Sequence, residues 1–354
     1  MSNFTQNRIV RSAVLCLAAL AACPAGASPL FESDSILRIR IEAPVQRIAR
    51  AAVSSTEAHD GRLSVDETND SHVIRVSARG LSRRRRESCT FPPLRVEFPS
   101  PPAAGSLFQG QERLKLVTHC RPQLSFQRHV LLEYAAYRLM NVLTPRSFRV
   151  RLVQVDYVEA GQGGSALSRL GFFIEDVDDV ARRNGLKEVE TGNVALAQLS
   201  ATDTARFAMF QYMIGNLDWS AQTGPSGGQC CHNARLLGPA RDSASGLVPI
   251  PYDFDQSGMV DAPYAVVPPQ LRLRSVRERR YRGYCQHEAE AQAAAAELRA
   301  ARPSLERTLN ALPGAEGDIG RDAARYLAGF FEDVAAPGRV SDRLLGHCRG
   351  SGAD

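Results

Sequence analysis

Lysine is almost missing from this chain. Of its 43 basic residues in 354 positions, only Lys115 and Lys187 are lysines; the rest are arginines. Alanine is abundant, so most of this imbalance reads as compositional bias, and each lysine becomes a rare event to be explained. A concentrated positive field is also lacking: 43 basic against 38 acidic residues leave a formal charge of only +5, which excludes a nucleic-acid binder built on a dense basic face. The dense run Arg83-Arg84-Arg85-Arg86 is by default a solvated loop, with the holding of an acidic substrate or of nucleotide phosphates as the alternative. No apolar run reaches membrane-spanning length. There is no Cys-x-x-Cys spacing and no internal repeat. The single tryptophan, Trp219, is expected to pack in a core or anchor a loop. At 44% hydrophobic and 23% charged, the chain falls in the globular class.

What is present begins with an export signal. Arg8 and Arg11 precede the apolar stretch Ala13 to Ala22, which is too short to span a bilayer and suits a signal-peptide core. Two processing sites compete. Ala25-Gly26-Ala27 offers cleavage after Ala27, the preferred reading, and Leu20-Ala21-Ala22-Cys23 offers a lipidated Cys23. Either route places the mature chain outside the cytoplasm, periplasmic or secreted. Six cysteines then remain: Cys89, Cys120, Cys230, Cys231, Cys285 and Cys348. In an oxidising compartment they read as disulfides of undetermined pairing; Cys230-Cys231-His232 as metal ligands is the weaker alternative.

Past residue 27 the chain changes character near residue 176. Ile36 to Ile41, Val73 to Val76, Leu94 to Phe98 and Arg113 to Val117 alternate apolar and polar as strands do. A helix is predicted over Phe126 to Val142, then strands over Phe148 to Val158 and Leu170 to Ile174, around a loop at Gly161 to Gly164. Helices dominate afterwards: Asp176 to Asn184, Asp203 to Ile214 closed by Gly215, an Ala-rich helix over Gln286 to Ala301 interrupted at Pro303, then Asp318 to Val334 and Ser341 to His347. The expected organisation is α+β, with a signal peptide at 1–27, a strand-rich part at 28–175 and a helical part at 176–354.

Between the helices lies a set of oxygen ligands. Asp218 follows a helix end in Gly215-Asn216-Leu217-Asp218-Trp219. Asn233 precedes a short apolar strand, and Asp253 and Asp255 follow a second one in Tyr252-Asp253-Phe254-Asp255. Phosphoryl transfer needs these parts: one carboxylate to orient an acceptor hydroxyl, and an Asn with a second carboxylate to hold Mg²⁺ or Mn²⁺ against phosphates.

This segment resembles the CotH-like (spore coat protein H) atypical kinases. Arg79-Gly80-Leu81-Ser82 is similar to that family's Arg-Gly-Asn-Ser turn, Leu94 to Phe98 to the strand after it, and Phe172-Phe173-Ile174-Glu175 to the strand ending at the junction of two lobes. The resemblance runs in order over roughly residues 36–260. It implies a two-lobed, kinase-like fold that uses ATP with Mg or Mn, Asp218 as the catalytic-loop acid, and Asn233 and Asp253 as the metal pair with Asp255 in reserve. It implies nucleotide contacts from Arg79, Glu175 and Lys115. On that fold Lys115, on a strand, is expected to pair with Glu133 on the following helix, with Glu112 as the other candidate. Two departures stand out: Asp218 and Asn233 are fifteen positions apart where kinase loops span about five, and Leu81 replaces Asn in the turn. His119, His129 and His232 are read as structural. The function expected is phosphoryl transfer to a protein or small-molecule hydroxyl. The alternatives are a pseudokinase-like envelope scaffold without turnover, and nucleotidyl transfer on the same scaffold.

Overall fold

The structure, a computed structural model, describes Met1 and residues 28–68, 70–161, 167–225 and 228–350. The segment expected to direct export, with Cys16, Cys23 and Ala27, and the loop positions Gln162 to Gly164, lie outside the described residues. The elements in order are β1 Leu37–Ala43, α1 Val45–Ala51, β2 His59–Val65, β3 Ser71–Ala78, β4 Leu94–Glu97, β5 Arg113–Val117, α2 Gln127–Leu143, β6 Val150–Glu159, β7 Leu167–Ile174, α3 Val177–Arg183, β8 Lys187–Glu188, α4 Ala201–Ile214, β9 Ala234–Gly238, β10 Val248–Pro251, α5 Glu288–Asn310, α6 Asp318–Asp333 and α7 Pro337–Arg343. The fold is mixed α+β.

Seven strands close into a barrel in the order β1-β2-β3-β4-β5-β7-β6. The closing pair, β1 with β6, is parallel, and its partners include Ile39 with Val155; the other pairs are antiparallel. Strict alternation drives this closure. In β1, Leu37, Ile39, Ile41 and Ala43 are buried while Arg38, Arg40 and Glu42 face solvent, and period-two side chains put one face of every strand into the interior. Ile39, Leu63, Ile74, Val96, Leu116, Val155 and Phe173 fill that interior.

A second core gathers α2, α4, α5, α6 and the small sheet β10-β9-β8. α2 precedes the change of character in sequence, yet its buried residues, among them Leu132, Ala136 and Leu139, belong to this second core. It therefore forms the wall between the two cores. Pro303 does not interrupt α5, contrary to the sequence expectation. A proline removes one backbone donor and crowds the preceding turn, but Leu298 on one side and Leu305 and Leu309 on the other are all buried, and that packing carries the helix through.

Three disulfides tie the loops: Cys89–Cys120, Cys230–Cys231 and Cys285–Cys348. The adjacent cysteines are bonded to each other, so their sulfurs are not free thiolates for a metal. No helix among the described residues is long and apolar enough to cross a membrane.

Candidate functional site

The end of α4 sets the first acid. Gly215 takes the left-handed conformation, at φ 66°, and a side chain there would meet the Tyr326 hydroxyl at 1.9 Å, so only glycine fits. Asn216 is buried, and its Oδ1 accepts from the Asp218 N–H at 3.0 Å, which turns Asp218 outward. The backbone of this turn is braced from behind by Arg282, which donates to the carbonyls of Leu217 and, at 3.0 Å, Trp219. Trp219 is buried and packs edge-on against Phe207, the anchor role expected of it.

Asp218 is then held by three side chains. His232 Nε2 lies 2.7 Å from Oδ1, Asn233 Nδ2 donates to Oδ2 at 3.0 Å, and Gln256 Nε2 donates to Oδ2 at 3.1 Å. The hydrogen bond to Asp218 raises the pKa of His232. The fifteen-residue gap to Asn233 is bridged in space, because Asn233 also donates to the Asp218 carbonyl at 2.7 Å. Among the described residues of that stretch, the Ser220 N–H donates to the His232 carbonyl at 3.0 Å and the His232 N–H to the Thr223 carbonyl at 2.9 Å, which brings the chain back to Asp218 just after Cys230 and Cys231.

β9 and β10 deliver the rest. They pair antiparallel, with Ala234 opposite Pro251, so Asn233 and Tyr252 sit side by side and the Tyr252 N–H donates to the Asn233 carbonyl at 3.1 Å. Asn233 and Asp253 both have positive φ, 52° and 62°, a region that costs most side chains energy and is best tolerated by Asn and Asp. The Asp253 N–H donates to the Tyr137 hydroxyl of α2 at 2.9 Å, which locks this turn to the wall between the cores.

At the centre stands Arg83, from the arginine run. Its Nη1 donates to Glu133 Oε2 at 3.0 Å, its Nη2 donates to Asp253 Oδ1 at 2.9 Å, and its Nε lies 3.2 Å from Asp255 Oδ2. The side chains of Arg83, Glu133 and Asp255 are only 7%, 2% and 5% exposed. Tyr264 adds a hydrogen bond to Asp255. Burial drives the pKa of Glu133 upward, partly offset by Arg83, and does the same to Asp255. The surrounding carboxylates hold Arg83 fully charged against the cost of its burial.

The expected Lys115–Glu133 pair is therefore not formed: Glu133 belongs to Arg83. The physical reason is placement. Lys115 projects from β5 between the rings of Phe148 and Tyr252, at 5.8 and 5.6 Å from their centroids, and it makes no ion pair among the described residues. Burial, then the charges of Arg79 and Arg235, lower its pKa to about 8. It lines a cavity of about 210 Å³ with Arg113, Asp176, Glu188 and Arg235. Glu112 lies in a different cavity, with Gln111, Asp178 and Arg182. Glu175 is also turned away from the nucleotide role implied for it. Its carboxylate accepts from Arg183 Nε at 2.9 Å and from the Arg149 N–H at 2.8 Å, tying β7 to α3. Arg79 senses Asp253 and Arg83 electrostatically and makes no ion pair among the described residues. A larger cavity, of about 640 Å³ beside Arg138, Asn141 and Arg149, holds none of the expected site residues.

As arranged, the acids do not fit a divalent ion. Mg²⁺ asks for a near-octahedral set of oxygens, whereas Asp253 and Asp255 both face a guanidinium. No group of three or more His, Cys, Asp or Glu side chains among the described residues is disposed to hold a metal. Sequence reasoning missed Arg83 and His232. The first was hidden in a run of four arginines, and the second stood next to Asn233 without a motif of its own. No known family model matches the chain, and no curated protein is found similar to it.

Proposed function

We propose that the junction between the barrel and the helical core is a nucleotide site of the CotH-like kinase type, in an exported protein. On this reading the barrel plays the part of the N-lobe and the helical core that of the C-lobe. The observation that carries it is the convergence of Asp218, Asn233, Asp253, Asp255 and Glu133, drawn from four separate elements, on one junction beside Arg79 and Lys115. Asp218 is the one acid of this set bonded to neutral or weakly basic partners rather than to arginine, which suits it to accept a proton from an acceptor hydroxyl. Arg79 and Lys115 are cations that form no ion pair among the described residues, and phosphate oxygens would supply one. The donor proposed is ATP and the acceptor a protein or small-molecule hydroxyl.

A second reading, a pseudokinase-like scaffold that binds without turnover, is favoured by one observation: Arg83 occupies the acids that turnover would use. The test is incubation of the purified chain with γ-labelled and α-labelled ATP and Mn²⁺, alongside Asp253→Ala. Transfer of γ label that the variant loses supports the kinase. Transfer of α label alone moves the assignment to nucleotidyl transfer. Nucleotide binding without transfer supports the scaffold, and absence of binding by calorimetry removes all three.

A further inference from the structure

The disagreement between the acids and a metal ion has a structural cause. We propose that Arg83 is the resident cation of this site: its guanidinium takes the place of a divalent ion among Glu133, Asp253 and Asp255, so that the intact protein binds its phosphate-bearing ligand without a metal at these acids. The proposal rests on the reading of the junction as a nucleotide site.

Three features carry it. First, all three guanidinium nitrogens are committed. Nη1 and Nη2 take Glu133 in a fork at 3.0 and 3.4 Å, Nη2 also reaches Asp253 at 2.9 Å, and Nε faces Asp255 at 3.2 Å. The planar, always-charged fork of arginine is suited to several carboxylates at once, and lysine is not. Second, the side chain is part of the built interior rather than a surface arm laid across the cleft. It stands on the short turn Ser82–Arg84 between β3 and β4, where the Arg85 N–H donates to the Ser82 carbonyl at 3.1 Å and the Cys89 N–H to the Arg85 carbonyl at 2.9 Å. The Cys89–Cys120 disulfide then fastens this segment to the chain beyond β5. Third, the division of labour is consistent: the acids have a cation in contact, while Arg79 and Lys115 feel Asp253 or Asp176 and Glu188 only at a distance and form no ion pair among the described residues. A cleft of this kind retains its phosphate-binding cations while its metal-binding acids are already neutralised.

The experiment is a Mn²⁺ titration followed by electron paramagnetic resonance of free Mn²⁺, with parallel ATP calorimetry in EDTA and in Mn²⁺. The expected wild-type result is no saturable Mn²⁺ site and an ATP affinity equal in both buffers within about twofold. Arg83→Ala in a Glu133→Gln background, which leaves one fewer buried charge unpaired, is expected to gain a Mn²⁺ site at least ~10-fold tighter than any in the wild type. Asp253→Asn should remove that gained site. A saturable wild-type Mn²⁺ site lost in Asp253→Asn overturns the proposal, as does a tenfold or greater loss of ATP affinity in EDTA. Those two outcomes need only wild-type protein and Asp253→Asn, so misfolding of the Arg83 variant does not shield the proposal. If no arm binds ATP but the Arg83 variant gains Mn²⁺, the nucleotide reading falls while the role of Arg83 stands.

Discussion

Arg83 and Lys115 are two cations near one junction that solve burial in opposite ways. Arg83 is surrounded by carboxylates, and its charge is held by them. Lys115 lies between two aromatic rings with no ion pair among the described residues, and its charge is weakened by burial and by neighbouring arginines. The first arrangement is complete in the protein alone. The second leaves the ammonium without a contacting acid among the described residues, with Asp176 and Glu188 acting on it only at a distance. The contrast separates a cation neutralised by contacting carboxylates from one held against aromatic rings, and only the second is free to meet the phosphate of the proposed ligand.

The contrast breaks most visibly at Arg83. Arg83→Ala leaves Glu133, Asp253 and Asp255 without their common partner, and removing one side of a buried ion pair costs roughly 3–5 kcal/mol. Urea unfolding should show a loss of that size, and Arg83→Lys should recover only part of it, because an ammonium cannot reproduce the fork. An Arg83→Ala loss below about 1 kcal/mol, the range of exposed pairs, would mean that the acids relax into water and that the site is not built around this residue.

Next in size is the fastening of the Arg83 segment. The Cys89–Cys120 bond closes a separation of 31 residues, and cross-links of such length stabilise by about 2–4 kcal/mol. The double variant Cys89→Ala/Cys120→Ala should lose stability in that range. It should also increase hydrogen exchange at the Ser82–Arg84 turn more than at Lys115, which is held by the β5–β7 pairing opposite Ile174.

The two cations also predict opposite pH slopes. Burial raises the Glu133 and Asp255 pKa values, so the folded state binds more protons than the unfolded one. Their contribution is full at acid pH and is lost as pH rises past the ordinary carboxyl range and through their folded values. Lys115 is lowered from 10.5 to about 8, so between those values the unfolded state binds more protons and stability rises with pH, by about 1–3 kcal/mol in total. Urea midpoints measured across pH should therefore fall and then rise. Glu133→Gln should flatten the falling limb and Lys115→Met the rising one. A rising limb that survives Lys115→Met would return that lysine to the background.

Much of the barrel was legible from alternation alone. β5 runs over the residues predicted, and β1, β4 and α2 start or end within one or two positions of expectation. Closure of the barrel was not legible, because the β1–β6 pairing joins strands more than a hundred residues apart and nothing in either strand names its partner. The acids of the site were legible from their order, an Asp after a helix end, an Asn before one short apolar strand and two Asp after another, although each alone is an ordinary turn residue. Their cation was not. Arg83 is one of four consecutive arginines, and only the turn at Ser82–Arg84 decides which one points inward. Lys115 drew attention by rarity, but rarity carried no information about which acid, if any, would face it.

The smallest effect tests a residue that the sequence put in the background. His232 lies 2.7 Å from Asp218, whose other oxygen keeps Asn233 and Gln256, so His232→Asn should cost only about 1 kcal/mol. The dependence of that cost on pH identifies the interaction. Because Asp218 raises the His232 pKa, its stabilisation is fully present below the ordinary value of 6.5 and is lost as pH rises through the folded value. The wild type and His232→Asn should therefore differ most near the acid end and converge at alkaline pH. In the Asp218→Asn background that pH-dependent difference should vanish, since the neutral amide no longer favours the imidazolium. A difference that persists unchanged at alkaline pH, or survives Asp218→Asn, would assign His232 to packing alone and leave Asp218 oriented by Asn233 and Gln256.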